Sequence, residues 1–212
     1  MLDETHQARP RAAIDQLRQE LAAARSAEQA IGEILKIIGR SPENLDDVFG
    51  TLLDNALRLC EAELGILFLY DPSEGYRAAH SRGVPERFAD WLKRGPIKAA
   101  PETGLGRIAK DYRALNIEDV RGEDIYRQGD PLRVATADLG GARSFAAIPM
   151  LAGDTLKGAF TIYRQQVRPF EQHHIELVDR FADQAVIALE NTRLLTEIRG
   201  LSRDLAELNR SL

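Results

Sequence analysis

Apolar residues in the first stretch of the chain recur every three or four positions. Ile14, Leu17, Leu21, Ala24, Ile31, Leu35 and Ile38 form one stripe, with only Glu28 off pattern and no Pro or Gly before Gly32. That period predicts an amphipathic helix of roughly 30 residues, about 45 Å long, which exceeds one face of a small core. After "RSPEN", Asn44 is placed to cap a second helix, with Asp46 and Asp47 in its first turn and Leu45, Val48, Leu52, Ala56 and Leu59 on one buried face. The pattern then changes. "LGILFLY" is a continuous apolar run of the kind that forms a buried strand, "DPSEG" a turn, and "YRAAHS" its hairpin partner.

Further on, "GVPERFADWLKRG" predicts a short helix around Phe88, Trp91 and Leu92, and "TGLGRIAKDY" another opened by Thr103. "RALNIEDV" gives a short strand, and "RGEDIYRQGDPLRVATADLGG" a polar, turn-rich surface excursion containing helix. "RSFAAIPMLAGDTLKGAFTIYR" places a Gly and Asp turn between two apolar runs, the signature of an antiparallel hairpin. From Pro169 a helix runs for roughly 43 residues, about 60 Å. The order of elements predicts an α+β fold with a mainly antiparallel sheet between helices.

Both ends of the chain carry a coiled-coil pattern. Leu194, Ile198, Leu201, Leu205, Leu208 and Leu212 alternate by four and three, a seam that buries little alone and much against a twin. The expected assembly is a homodimer, parallel or antiparallel, with Leu17, Leu21, Ile31, Leu35, Leu194, Ile198, Leu201, Leu205 and Leu208 at its interface. Gly200 interrupts that seam, as a hinge or as an incidental surface glycine. The seam runs to the last residue, so the polypeptide is expected to continue into another domain.

Composition narrows the function classes. The 212 residues are 44% hydrophobic and 29% charged, as in a globular chain, and the net charge of -5 arises from acids and bases interspersed throughout. No basic stripe is present for nucleic acid or an anionic membrane. No apolar run reaches the roughly 18 residues of a spanning helix, and the polar start lacks signal-peptide character. A cytoplasmic location is expected, and the single cysteine, Cys60, fits a reducing compartment.

Candidate chemistry is sparse. "TGLGRIAK" lacks the register and ending of a phosphate-binding loop. His173 and His174 are adjacent, so their rings diverge on a helix, whereas metal ligation from one face needs a spacing such as i, i+4. No metal site is expected.

The segments "EILKIIGRSPENLDDVFGTLLDNALRLCEAELGILFLYD", "RGVPERF", "RALNIEDV", "RSFAAIPMLAGDTLKGAFTIYR" and "RPFEQHHIELVDRFADQAVIALENTRLLTEI" together resemble a GAF domain of the type found in bacterial sensor histidine kinases and nucleotide cyclases. The resemblance spans about residues 30–198. It implies a six-stranded antiparallel sheet with helices on both faces, flanked by long coiled-coil helices, and a non-catalytic sensory role upstream of a kinase or cyclase. The organisation expected is an N-terminal helix over residues 1–40, a sensory domain over 41–190, and a C-terminal helix over 170–212 continuing into a signalling linker.

Within that family, sulfoxide reduction needs a second cysteine to resolve the sulfenic acid, and covalent bilin attachment needs a cysteine after residue 60; neither is present. The cyclic-nucleotide signature is also altered. Phe170 is kept, but Arg164 stands in the Asn-Lys neighbourhood and His174 and Ile175 replace the acidic pair. What the resemblance leaves is a pocket for a small planar or anionic molecule, bordered by His80, Trp91, Arg94, Asp138, Arg143, Phe145, Thr161 and Tyr163. The aromatic members equally suit core filling, His80 a core edge or a haem iron, and Arg94 and Arg143 the solvated surface. The sequence names no cofactor. An alternative role is a ligand-free dimerisation module.

Overall fold

A computed structural model of the chain describes residues 45–208, together with Arg18, Leu21, Ala22 and Arg25 of the N-terminal arm, which are helical and exposed. The Asn44 cap and the interface positions Leu17, Ile31 and Leu35 lie outside the described residues, as do the side chains of Leu205 and Leu208.

Helix α1 (Leu45–Leu59) begins with Asp46 and Asp47, whose charges favour the positive end of the helix dipole. It buries Val48, Phe49, Leu52, Leu53 and Ala56. Strands β1 (Leu64–Asp71) and β2 (Gly75–Arg82) form a hairpin whose turn is held by Asp71 Oδ1, which accepts from the backbone N–H groups of Ser73 and Glu74. Short helices α2 (Glu86–Leu92) and α3 (Gly104–Asp111) follow, then the three-residue strand β3 (Leu115–Ile117), helices α4 (Asp124–Arg127) and α5 (Pro131–Val134), and a π-turn over Ala135–Leu139. A second hairpin, β4 (Ser144–Ala152) and β5 (Thr155–Arg164), leads into helix α6 (Gln172–Leu208).

The sheet is antiparallel with strand order β2-β1-β5-β4-β3. It has five strands among the described residues, where six were expected. Along the outer edge of β2, Ile97 and Tyr76 exchange two backbone hydrogen bonds of 2.6 and 2.9 Å and the pairing stops there. Pro96 and Pro101 flank this bridge, and proline has no N–H with which to extend a ladder.

Alternation along the strands sorts two cores. On one face Leu67, Ile148, Phe160 and Ile162 pack against Leu52 and Leu53 of α1 and Val178, Phe181 and Ala185 of α6. On the other, Leu64, Ile66, Phe68, Phe145 and Tyr163 pack against Phe88 of α2, Leu105 and Ile108 of α3, and Leu132 of α5. The stretch 121–141 is therefore more than a surface excursion, since its helical part covers this second face with buried Leu132, Arg133, Ala135, Thr136 and Ala137.

Candidate functional site

The second face holds a small, partly open cavity of about 10 Å³, lined by Thr103, Gly104, Leu105, Leu132, Arg133, Thr136, Phe145 and Tyr163. That is room for roughly one water. Its floor is the sheet, where Phe145 and Tyr163 are cross-strand neighbours with ring centroids 4.8 Å apart. One wall is the start of α3. Thr103 caps that helix by accepting the Gly106 N–H at 3.1 Å, and Gly104 lies so close to Phe145 that a Cβ there would fall 2.2 Å from Cε1. The roof is α5, whose own cap is Asp130 Oδ1 accepting from the Arg133 N–H at 2.8 Å.

Arg133 is the unusual element. Its side chain is 4% exposed, its guanidinium carbon sits 5.4 Å from the Phe145 ring centre, and its Nη2 lies 2.8 Å from Glu123 Oε2. The contact is off the hydrogen-bond axis, so Arg133 Nε and Nη2 and Glu123 Oε2 are buried without a hydrogen-bond partner. Burial lowers the guanidinium pKa against the pull of Glu123, and it raises the Glu123 carboxyl above the usual range despite Arg133 and Arg107. Burial also pushes the Tyr163 phenol up to about 12.

Of the expected pocket residues, Phe145 and Tyr163 line the cavity. Thr161 shares their face but is buried, donating its hydroxyl to the Ile66 carbonyl at 2.8 Å. Trp91 is half-buried beside Phe88, with ring centroids 6.2 Å apart, and Arg94 is exposed in the turn after α2. Neither borders the cavity. Asp138 faces outward, accepting from Arg121 and the Tyr126 hydroxyl, each at 3.1 Å. Arg143 grips Asp119 through two hydrogen bonds of 3.0 and 2.7 Å, which hold that carboxyl below the usual range. These two arginines therefore lie away from the cavity, and Arg133 supplies its charge instead.

His80 is on the opposite face. Strict alternation from Tyr76 and Ala78 would have set it on the cavity's face of the sheet, but the pairing shifts between Leu67 and Phe68, leaving Ala79 as the extra residue. His80 now pairs with Leu67 and approaches Asp46 of α1 at 3.6 Å and Arg82 at 2.6 Å. Among the described residues no group of three or more His, Cys, Asp or Glu side chains is arranged to hold a metal. No helix among them is long and apolar enough to cross a membrane.

A GAF domain family model matches residues 42–190. No curated protein matches. Among solved structures, the fold is similar to the GAF domain of a phosphoenolpyruvate-protein phosphotransferase from Coxiella burnetii, at 16% identity and a TM-score of 0.67, covering 82% of this chain and 98% of that one. It is also similar to a GAF domain/HD domain protein from Geobacter sulfurreducens, at 19% identity and a TM-score of 0.61, covering 73% and 97%. A domain of a putative two-component sensor histidine kinase protein from Sinorhizobium meliloti 1021 gives 16% identity and a TM-score of 0.58, covering 72% and 95%.

Proposed function

The chain belongs to the GAF domain family, and from that premise we propose that it is a non-catalytic sensory module which binds a small molecule on the cavity face, dimerises through its flanking helices, and passes the ligand state to an output domain, a histidine kinase or nucleotide cyclase. The family is in general regulatory and sensory.

One observation carries this reading. Helix α6 leaves the globular part with Ile187, Leu194, Ile198 and Leu201 exposed by 44 to 59%, spaced by seven, four and three residues. A helix surface of that spacing is the half-seam of a coiled coil, and it extends the sequence pattern one heptad back into the sheet-packed region. Burying each large aliphatic side chain contributes roughly 1.5 to 3 kcal/mol toward offsetting the cost of association. Leu21 of the N-terminal arm is likewise 52% exposed.

The same strands that floor the cavity contact α6. Phe145 and Tyr163 face the cavity while Ile148 and Ile162, on the same two strands, pack with Val178 and Phe181. A displaced strand would move the first turns of α6, and a continuous helix would carry that shift to the output as a rotation or change of register. Gly200, around which an added Cβ would meet nothing within 4 Å, is the proposed hinge on that path. In the intact receptor, Gly200→Ala should change basal or ligand-evoked output; unaltered signalling would remove the hinge.

The second reading, a ligand-free dimerisation module, is favoured by the small size of the cavity, about 10 Å³. A metabolite that raises the melting temperature of the purified chain and alters output in the intact receptor supports the sensor. Output that persists unchanged when the cavity is filled by Leu105→Phe supports the spacer.

A further inference from the structure

We propose that the cavity is a carboxylate receptor in which Arg133 carries the ligand's charge and Glu123, which meets the guanidinium from outside the cavity lining, is the internal partner that a ligand carboxylate displaces. This inference rests on the sensor reading and names the chemistry of its ligand.

A buried guanidinium needs an acceptor for each of its N–H groups. Arg133 has a carboxylate at 2.8 Å but leaves Nε and Nη2 without a hydrogen bond, inside a lining whose two threonine hydroxyls, Thr103 and Thr136, donate to the carbonyls of Ala100 and Leu132. A planar carboxylate lying in the guanidinium plane would accept from both of these nitrogens, which form one edge of the fork. Glu123 supplies the right group in the wrong orientation.

Glu123 is also built to leave. It immediately precedes α4, where its side chain makes no capping bond to that helix. Its other oxygen, Oε1, lies 3.5 Å from Arg107, whose side chain is 44% exposed. A displaced Glu123 therefore keeps a cationic partner nearer to solvent, so exchange strands no charge in the interior. The adjoining turn of α3 adds the N–H groups of Gly104 and Leu105, which as first-turn positions have no intrahelical acceptor. Leu105, Leu132 and the rings of Phe145 and Tyr163 select a small apolar body behind the carboxylate. The cavity, at about 10 Å³, is too small for a carboxylate as it stands, so entry requires the 123–134 segment to lift.

Benzoate is a suitable probe, with benzamide as its neutral counterpart and chloride as the control at matched ionic strength. Calorimetry and thermal melts of the purified chain should show benzoate binding that benzamide and chloride do not reproduce. Glu123→Gln, which removes the internal competitor, should tighten benzoate at least tenfold. Arg133→Lys, which keeps the charge but loses the fork, should weaken it at least tenfold; should that variant fail to fold, the Glu123→Gln comparison decides alone. Equal affinity in the wild type and Glu123→Gln, no benzoate binding in either, or benzamide binding as well as benzoate would each overturn the carboxylate assignment. The last of these leaves a sensory pocket of neutral specificity standing. Arg133-dependent benzoate binding that leaves output unchanged in the intact receptor would uphold the assignment and count against the sensor reading.

Discussion

Arg164 Nη2 donates to the carbonyl of Cys60 at 2.6 Å, joining the end of β5 to the end of α1 across 104 residues of sequence. The same guanidinium donates to the carbonyls of Glu61, Arg168 and Pro169, and lies 4.3 Å from the centre of the Phe170 ring. One side chain thus saturates the carbonyls where α1 ends and α6 is entered. Arg164, in the neighbourhood where the resemblance puts the Asn-Lys pair of the cyclic-nucleotide signature, is a structural clamp in this chain. Arg164→Ala should cost about 3 kcal/mol by leaving the buried Cys60 carbonyl and three part-buried carbonyls without their donor. Chemical denaturation would measure it, and a loss within about 0.5 kcal/mol would show that water replaces the clamp.

His174 gives the fold an acid limit. Its Nδ1 accepts the Glu171 N–H at 3.1 Å, which requires a neutral ring. Burial first, then the charges of His173 and Arg164, hold its pKa down to about 4, against opposing attraction from Glu171 and Glu61. Because the folded value lies below the unfolded one, the contribution is present above about pH 6.5 and disappears as pH falls through about 4. Melting temperatures measured from pH 7 to 4 should therefore fall more steeply for the wild type than for His174→Asn. Parallel profiles would assign the acid sensitivity elsewhere.

Two glycines in the first turn of α3 should respond differently. A Cβ on Gly104 would press on the Phe145 ring, a side chain that can shift, whereas a Cβ on Gly106 would fall 1.9 Å from the carbonyl oxygen of Ala100, which is backbone. Gly104→Ala should cost about 1 to 3 kcal/mol, the range for overpacking, and Gly106→Ala more. Equal small losses in denaturation experiments would mean that the 100–106 turn is not held as described.

Cys60 should be chemically silent. It is fully buried, and burial pushes its thiol up to about 12 against the opposing charge of Arg164. Iodoacetamide at pH 8 should leave the native protein unlabelled and modify it only in denaturant, as read by intact mass.

The features legible in the sequence were those set by local pattern. The 3.6-residue period marked α1 and α6, apolar runs marked β1, β4 and β5, and Thr103 marked the start of α3 by its capping chemistry. The site was less legible because its residues are selected by distant contacts. Arg133 sits in a polar, turn-rich stretch and reads as solvated; the fold buries it beside Phe145 and Glu123, which are distant in sequence. The one signal available was "DPLRV", in which Asp130 caps a helix started by Pro131 and so turns Leu132 and Arg133 inward. A single bulged residue, Ala79, turns His80 to the other face, and no alternation pattern in "YRAAHSR" announces it. The missing sixth strand followed from Pro96 and Pro101, which were visible but whose position at a sheet edge was not.

Self-association through α6 is the central claim, because the proposed signal has no path without it. Light scattering on the purified chain at micromolar concentration should return twice its 23.6 kDa mass, and Leu194→Glu with Ile198→Glu should reduce it to that of one chain. A single-chain mass for the unaltered protein, or a dimer indifferent to both substitutions, would contradict the account.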